Sequence, residues 1–187
     1  MFCLALVMLA AADLHRGVWF WNNTTLPDGT PSAYGSSVVV GDPAKEDETI
    51  NFFNLHGVKR VYGNYQNRPV SEPAVIAAWN AKLDAAGIAS QVLIDGVEVD
   101  DAADITSILG KVTGRLINFN AAVGAASRFD ALHLDLEPQG SPAWTGATAA
   151  VKRGLLDNLL GAYTTIHAHL NSTDLTAIPM YADIPFT

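Results

Sequence analysis

The chain has 187 residues, 49% of them apolar and 16% charged, with a formal net charge of -8. This is the make-up of one globular domain, and it excludes a disordered or fibrous chain. The acidic residues are scattered, and no Lys/Arg cluster with interleaved aromatics grips a phosphate backbone, which argues against nucleic acid as a partner.

Residues Phe2 to Ala12 form an apolar run ending in Ala10, Ala11 and Ala12. It resembles the core and small-residue cleavage region of a secretory leader, or a truncated one, so residues 1–12 read as a leader and residues 13–187 as the folded domain. A secreted or periplasmic location is the expectation. The run is too short to span a bilayer, so no membrane is expected as a partner. Cys3, the only cysteine, lies inside it, which leaves the mature domain without thiol chemistry or an internal disulfide.

Beyond the leader, short β-rich runs alternate with longer helical patterns, as expected of repeated βα units around a parallel sheet. The first strand is read at Gly17 to Trp21. Asp42 followed by Pro43 reads as an N-cap and first helical position, with Glu46, Asp47 and Glu48 suiting the helix start. That helix places Ile50, Phe53 and Leu55 among its apolar residues and stops at Gly57. The second strand is read at Arg60 to Tyr65. Ser71 is then expected to cap a helix with Pro73 in its first turn, Val75, Ile76, Trp79 and Leu83 on one face, and Gly87 at its end.

The third strand is read at Gln91 to Asp95, and a helical region follows from about Ile105 to Ala125. Gly110 and Gly114 interrupt it, which predicts a break or close packing. The fourth strand, Ala131 to Glu137, leads into a long amphipathic helix, Ala149 to Leu170, with Leu155, Leu159, Tyr163 and Ile166 at helical spacing. A fifth strand is read at Thr176 to Asp183. Five such units could also form an open doubly wound sheet, but Asn-Asn-Thr-Thr-Leu-Pro stands after Trp21 where a nucleotide-binding fold needs a glycine-rich phosphate loop.

The fourth strand carries the chemistry. Alternation points Leu132, Leu134 and Leu136 toward helices, and His133, Asp135 and Glu137 toward the opposite face. Burying three ionisable groups costs several kcal/mol unless they are paired or used, and the segment holds no Lys or Arg to neutralise them. A satisfied polar network or a solvated mouth is the structural alternative. A second alternative is a facial metal set of His133, Asp135 and Glu137, which would need a further ligand such as Asp95 or Asp183.

The run Phe-Asp-Ala-Leu-His-Leu-Asp-Leu-Glu-Pro from Phe129 resembles the fourth-strand signature of family 18 glycoside hydrolases, the chitinase-type TIM barrels. Asp130, Asp135 and Glu137 match three of its four acidic positions, and His133 stands at the remaining one. The resemblance implies a (β/α)8 barrel, of which about five βα units are present here. It also implies Glu137 as general acid, with Asp135 orienting the substrate's own acetamido group as internal nucleophile in a retaining reaction. An ionised Asp135 beside Glu137 would help keep that acid protonated. No cofactor and no metal are implied.

The expected substrate is a β-linked polysaccharide or oligosaccharide, one containing N-acetylglucosamine. His133, Trp19, Trp21, Tyr62, Asn64, Tyr65, Asp95, Tyr181 and Asp183 are the candidate sugar-binding residues, since indole and phenol rings stack on pyranose faces while amides and carboxylates bond hydroxyls. Met180-Tyr181 resembles a later-strand motif of the same family. Core packing is the competing reading for Trp19, Trp21 and Tyr62. A complete barrel needs roughly 200 to 250 residues, so the alternatives are a non-catalytic carbohydrate-binding barrel and an inactive gene fragment. Five parallel strands leave two open sheet edges, and self-association is one way to cover them.

Overall fold

The computed structural model describes residues 16–23, 25, 28–96, 99, 101–173 and 178–183. The leader assigned to residues 1–12 lies outside them. Five strands alternate with four main helices: β1 Arg16–Phe20, α1 Pro43–Leu55, β2 Val58–Gly63, α2 Pro73–Ala85, β3 Ala89–Gly96, α3 Ala102–Val112, β4 Ala131–Leu136, α4 Ala149–Asn171 and β5 Met180–Ala182. All strand pairs are parallel, and the spatial order follows the sequence, β1-β2-β3-β4-β5. Right-handed crossovers in such an order bring every connecting helix to the same face of the sheet.

Local chemistry explains most boundaries. The Asp42 carboxylate accepts from the Ala44 and Lys45 amides at 3.1 and 3.3 Å and starts α1 together with Pro43. Gly57 and Gly87, with φ of +66° and +67°, end the turns after α1 and α2 in the left-handed region. α3 begins earlier than the expected Ile105, because Asp101 and Asp104 form a reciprocal capping box at its start.

Several expectations are corrected. Ser71 does not cap α2: it closes a separate helical turn, Arg68–Ser71, and its hydroxyl donates to the Asn67 carbonyl at 3.3 Å. Glu72 occupies the N-cap without a side-chain bond. Leu55 faces solvent, at 80% exposure, because α1 ends there. Gly110 sits inside α3 with open space around it, whereas Gly114 lies in a π-helical turn, Thr113–Asn118, where an added Cβ would meet Val70 at 3.4 Å. Only the second glycine therefore marks a break with close packing. β2 starts and ends two residues earlier than expected, which leaves Asn64 and Tyr65 beyond the strand. The fifth strand is limited to Met180–Ala182 among the described residues.

The helix-facing side of the sheet forms the core. Val61, Val92, Ile94, Leu132, Leu134 and Leu136 are buried there against Ile76, Trp79 and Leu83 of α2, Ile108 of α3, and Leu159 and Ile166 of α4. Each such side chain contributes about 1.5–3 kcal/mol of burial free energy. Among the described residues no helix is long and apolar enough to cross a membrane.

The opposite face is concave. In a flat sheet β1 and β5 would stand about 19 Å apart, four inter-strand spacings. Yet the Trp19 indole N–H of β1 reaches the Asp183 carboxylate just past β5 at 3.4 Å. The Tyr62 ring of β2 likewise stacks on the His133 ring of β4, with centroids 4.3 Å apart. Strong twist and curl bring these side chains together across the arc.

Candidate active site

Register assembles the concave face in tiers. Trp19 lies opposite Tyr62, Tyr62 opposite Gln91, Leu93 opposite His133, and His133 opposite Tyr181. One tier nearer the C-terminal ends of the strands, Asp95 lies opposite Asp135. Glu137 is the first residue past β4, and its backbone N–H still bonds the Gly96 carbonyl at 2.8 Å. The alternation expected of the fourth strand is present: its three leucines are wholly buried, His133 is buried, Asp135 is half-buried and Glu137 is exposed.

The lower tier is a fixed wall. His133 is held through both ring nitrogens, Nδ1 by Gln91 Oε1 at 3.3 Å and Nε2 by Asp183 Oδ2 at 3.1 Å. Trp19 packs edge-on against Tyr62 at 5.4 Å between centroids and is 48% exposed, so it presents ring surface at the rim. Tyr181 is similarly open at 44%. The position where the resemblance has an aspartate is therefore filled by an imidazole that cross-links three strands.

The upper tier is acidic. Burial first, then the nearby charges of Glu137, Asp183 and Asp95, push the Asp135 carboxyl up to about 6. The Tyr163 hydroxyl, projecting from α4, donates to the Asp183 carbonyl at 3.2 Å. Burial together with Asp135 and Asp183 pushes that phenol up to about 12. Arg115, in the π-helical turn, faces Asp95; burial lowers its proton affinity while the aspartate opposes the change. Its Nε is buried and has no partner among the described residues.

Not every candidate reaches this face. Tyr65 is in the helix-side core at 1% exposure, where its hydroxyl accepts the Trp79 indole N–H at 2.8 Å and its ring stacks on Phe129. Asn64 is buried at 2%, and its side-chain oxygen accepts the Gln66 amide at 3.1 Å, supporting a left-handed residue there. Both were misplaced because β2 ends at Gly63, so they belong to the turn that follows. Trp21 lies one residue past β1, partly buried, with its carbonyl accepting from the Ser36 amide at 2.8 Å.

Asp130 sits at the base of β4, away from the mouth, and its carboxylate accepts the Ser90 amide at 2.7 Å. The alternative metal set does not assemble. Among the described residues no three His, Cys, Asp or Glu side chains gather to hold an ion, and both His133 nitrogens are occupied.

Gln91, Arg115 and Tyr163 are site residues that sequence reasoning missed, as is Gln139, whose Nε2 donates to Glu137 Oε1 at 3.2 Å. Gln91 was within reach, because alternation from Asp95 puts it on the same face. Tyr163 joins the apolar stripe of α4 through its ring, while its hydroxyl reaches past the stripe to the Asp183 carbonyl. A cleft of about 510 Å3 lies along β1 and α1, lined by Val18, Trp19, Phe20, Tyr34, Phe52 and Phe53 among others, so it shares Trp19 with the concave face. It contains none of the carboxylates of β3 to β5. No protein-family model, curated protein or solved structure matches this chain.

Proposed function

We propose that the sheet is an arc of a (β/α)-barrel of the family 18 glycoside hydrolase type, and that it cleaves β-linked polysaccharide containing N-acetylglucosamine. The observation that carries this reading is the position of Asp135 and Glu137. Both leave β4 on the concave face at the C-terminal end of the strands, where barrel enzymes keep their chemistry, with the helix-facing leucines on the other side. The sequential parallel order and the Trp19–Asp183 contact across the arc agree with a sheet that rolls rather than fans out.

In this mechanism Glu137, exposed at the mouth, gives its proton to the glycosidic oxygen as the bond to the anomeric carbon breaks. The carbonyl oxygen of the substrate's acetamido group attacks the anomeric carbon from the other face. Asp135, once ionised, accepts a hydrogen bond from the acetamido N–H and stabilises the positive charge of the cyclic intermediate. Water, deprotonated by Glu137, then opens that intermediate with overall retention. Trp19 and Tyr62 offer aromatic surface for the sugar ring.

A second reading has a specific observation behind it. His133, tied to Gln91 and Asp183, stands where the family signature has an acid, and a binding-only barrel would tolerate that change. Substrate choice separates the two. Chromogenic β-N-acetylglucosaminides are expected to be hydrolysed with retained anomeric configuration, while matched β-glucosides lacking the acetamido group are left intact. Equal cleavage of both, or an inverted product seen by NMR, contradicts the substrate-assisted mechanism. Binding of the oligosaccharide without turnover favours the lectin reading.

A further inference from the structure

We propose that Gln139 is a positioning residue for Glu137, pairing with its carboxyl group in both protonation states; this rests on the reading of Glu137 as the general acid. A single 3-10 turn, Pro138–Gly140, follows the strand. It is closed by the Gly140 amide donating to the Glu137 carbonyl at 2.9 Å and the Ser141 amide donating to the Pro138 carbonyl at 3.0 Å. Pro138 is buried, which anchors the turn, and Ser141 beyond it is 1% exposed. The turn folds the Gln139 side chain back, so that its Nε2 donates to Glu137 Oε1 at 3.2 Å.

The other end of this amide is unusual. Gln139 Oε1 is buried and has no hydrogen-bond partner among the described residues. The amide is therefore tethered through its nitrogen alone. Turning it over about its last side-chain bond breaks no bond at the oxygen, and it exchanges an N–H donor for a carbonyl acceptor. An ionised Glu137 is met by the N–H group, and a protonated Glu137 can donate its O–H to the carbonyl. A general acid that releases and recovers its proton in each cycle keeps the same neutral partner throughout. A lysine or arginine there would favour only the ionised form.

Of the charged groups nearby, Asp135 of β4 interacts with Glu137 itself and also with Asp95 of β3 and Asp183 after β5; Tyr163 of α4 acts on Asp135 and Asp183, and Arg115 of the turn after α3 on Asp95. All are unchanged in Glu137→Gln, Gln139→Leu and Gln139→Glu, so a difference between those variants and the parent reports on Gln139 and Glu137.

The test uses the full chain labelled with 15N, following the Gln139 side-chain amide signals between about pH 4 and about pH 8. These signals are expected to move with pH in the parent and to lose that movement in Glu137→Gln. In turnover, Gln139→Leu is expected to lower kcat about tenfold, with KM changed less than about twofold, the scale of one hydrogen bond to a charged group. Gln139→Glu keeps the shape, so its turnover is expected to recover as the pH falls and one carboxyl regains a proton. Amide signals that ignore Glu137→Gln overturn the proposal whatever the turnover shows. Full kcat in Gln139→Leu, with the amide response seen in the parent and lost in Glu137→Gln, overturns the catalytic part of it. A parent that never turns over, with the amide response present, instead overturns the reading of Glu137 as an acid and leaves the pairing standing.

Discussion

Asp135 sits in the most demanding environment of the site, half-buried among three other carboxyl groups with its own carboxyl pushed up to about 6. A carboxyl whose folded-state value lies above its unfolded value favours folding when protonated. Its contribution is complete below about pH 4 and is lost as the pH rises through about 6. Asp135→Asn is therefore expected to be more stable than the parent at pH 8 and to show little or no gain at pH 4, measured by thermal unfolding at both values. In the proposed mechanism the same ionisation gates the chemistry, because only the carboxylate stabilises a cationic intermediate, so the parent's turnover is expected to rise through pH 6.

Alternation on one strand was enough to find Asp135 and Glu137 in the sequence. Tyr163 and Arg115 were not legible, since each approaches from a helical segment whose distance to the carboxylates depends on how that segment packs. His133 was legible as a residue of this face, but its bonds to Gln91 and Asp183 depend on two other strands.

Elements were legible where a short-range rule fixes them. The Asp42–Pro43 start, the glycine ends of α1 and α2, and the span of α4 follow from capping and periodicity. The β2 boundary failed because Val58 to Tyr65 is rich in β-formers throughout, and pairing with β1 and β3 decides which residues join the ladder. That shift sent Tyr65 to the core and Asn64 to a turn.

Asp130 joins two strands rather than serving the mouth. It matches an acidic position of the family signature, yet its carboxylate accepts the Ser90 amide while its own amide bonds the Ser90 carbonyl at 2.7 Å, clamping β3 to β4 at their base. Ser90 is buried, and its hydroxyl donates to Asn80 of α2 at 2.9 Å. Asp130→Ala leaves the Ser90 N–H without that partner and is expected to cost about 1–3 kcal/mol in urea unfolding. Turnover per folded molecule should stay at the parent level; a fall in kcat at unchanged stability would place Asp130 in the chemistry instead.

At the scale of the molecule, βα alternation made a parallel sheet legible, and the absent glycine-rich loop steered away from a nucleotide-binding fold. Curvature was not legible, because every strand twists with the same hand and the degree of twist and coil in this sheet leaves no periodic trace in the residues. The contacts from Trp19 to Asp183 and from Tyr62 to His133 record it. That arc turns separate strand ends into one site, with aromatic surface below and carboxylates above.

In the proposed reaction Glu137 delivers the proton to a bound sugar. Release of chromophore from a β-N-acetylglucosaminide, compared between the parent and Glu137→Gln under matched folding and binding, measures it directly. Turnover is expected from the parent and a loss of at least about a hundredfold from the variant, the low end of what general acid catalysis supplies, with oligosaccharide binding retained. Equal turnover by both proteins would contradict it.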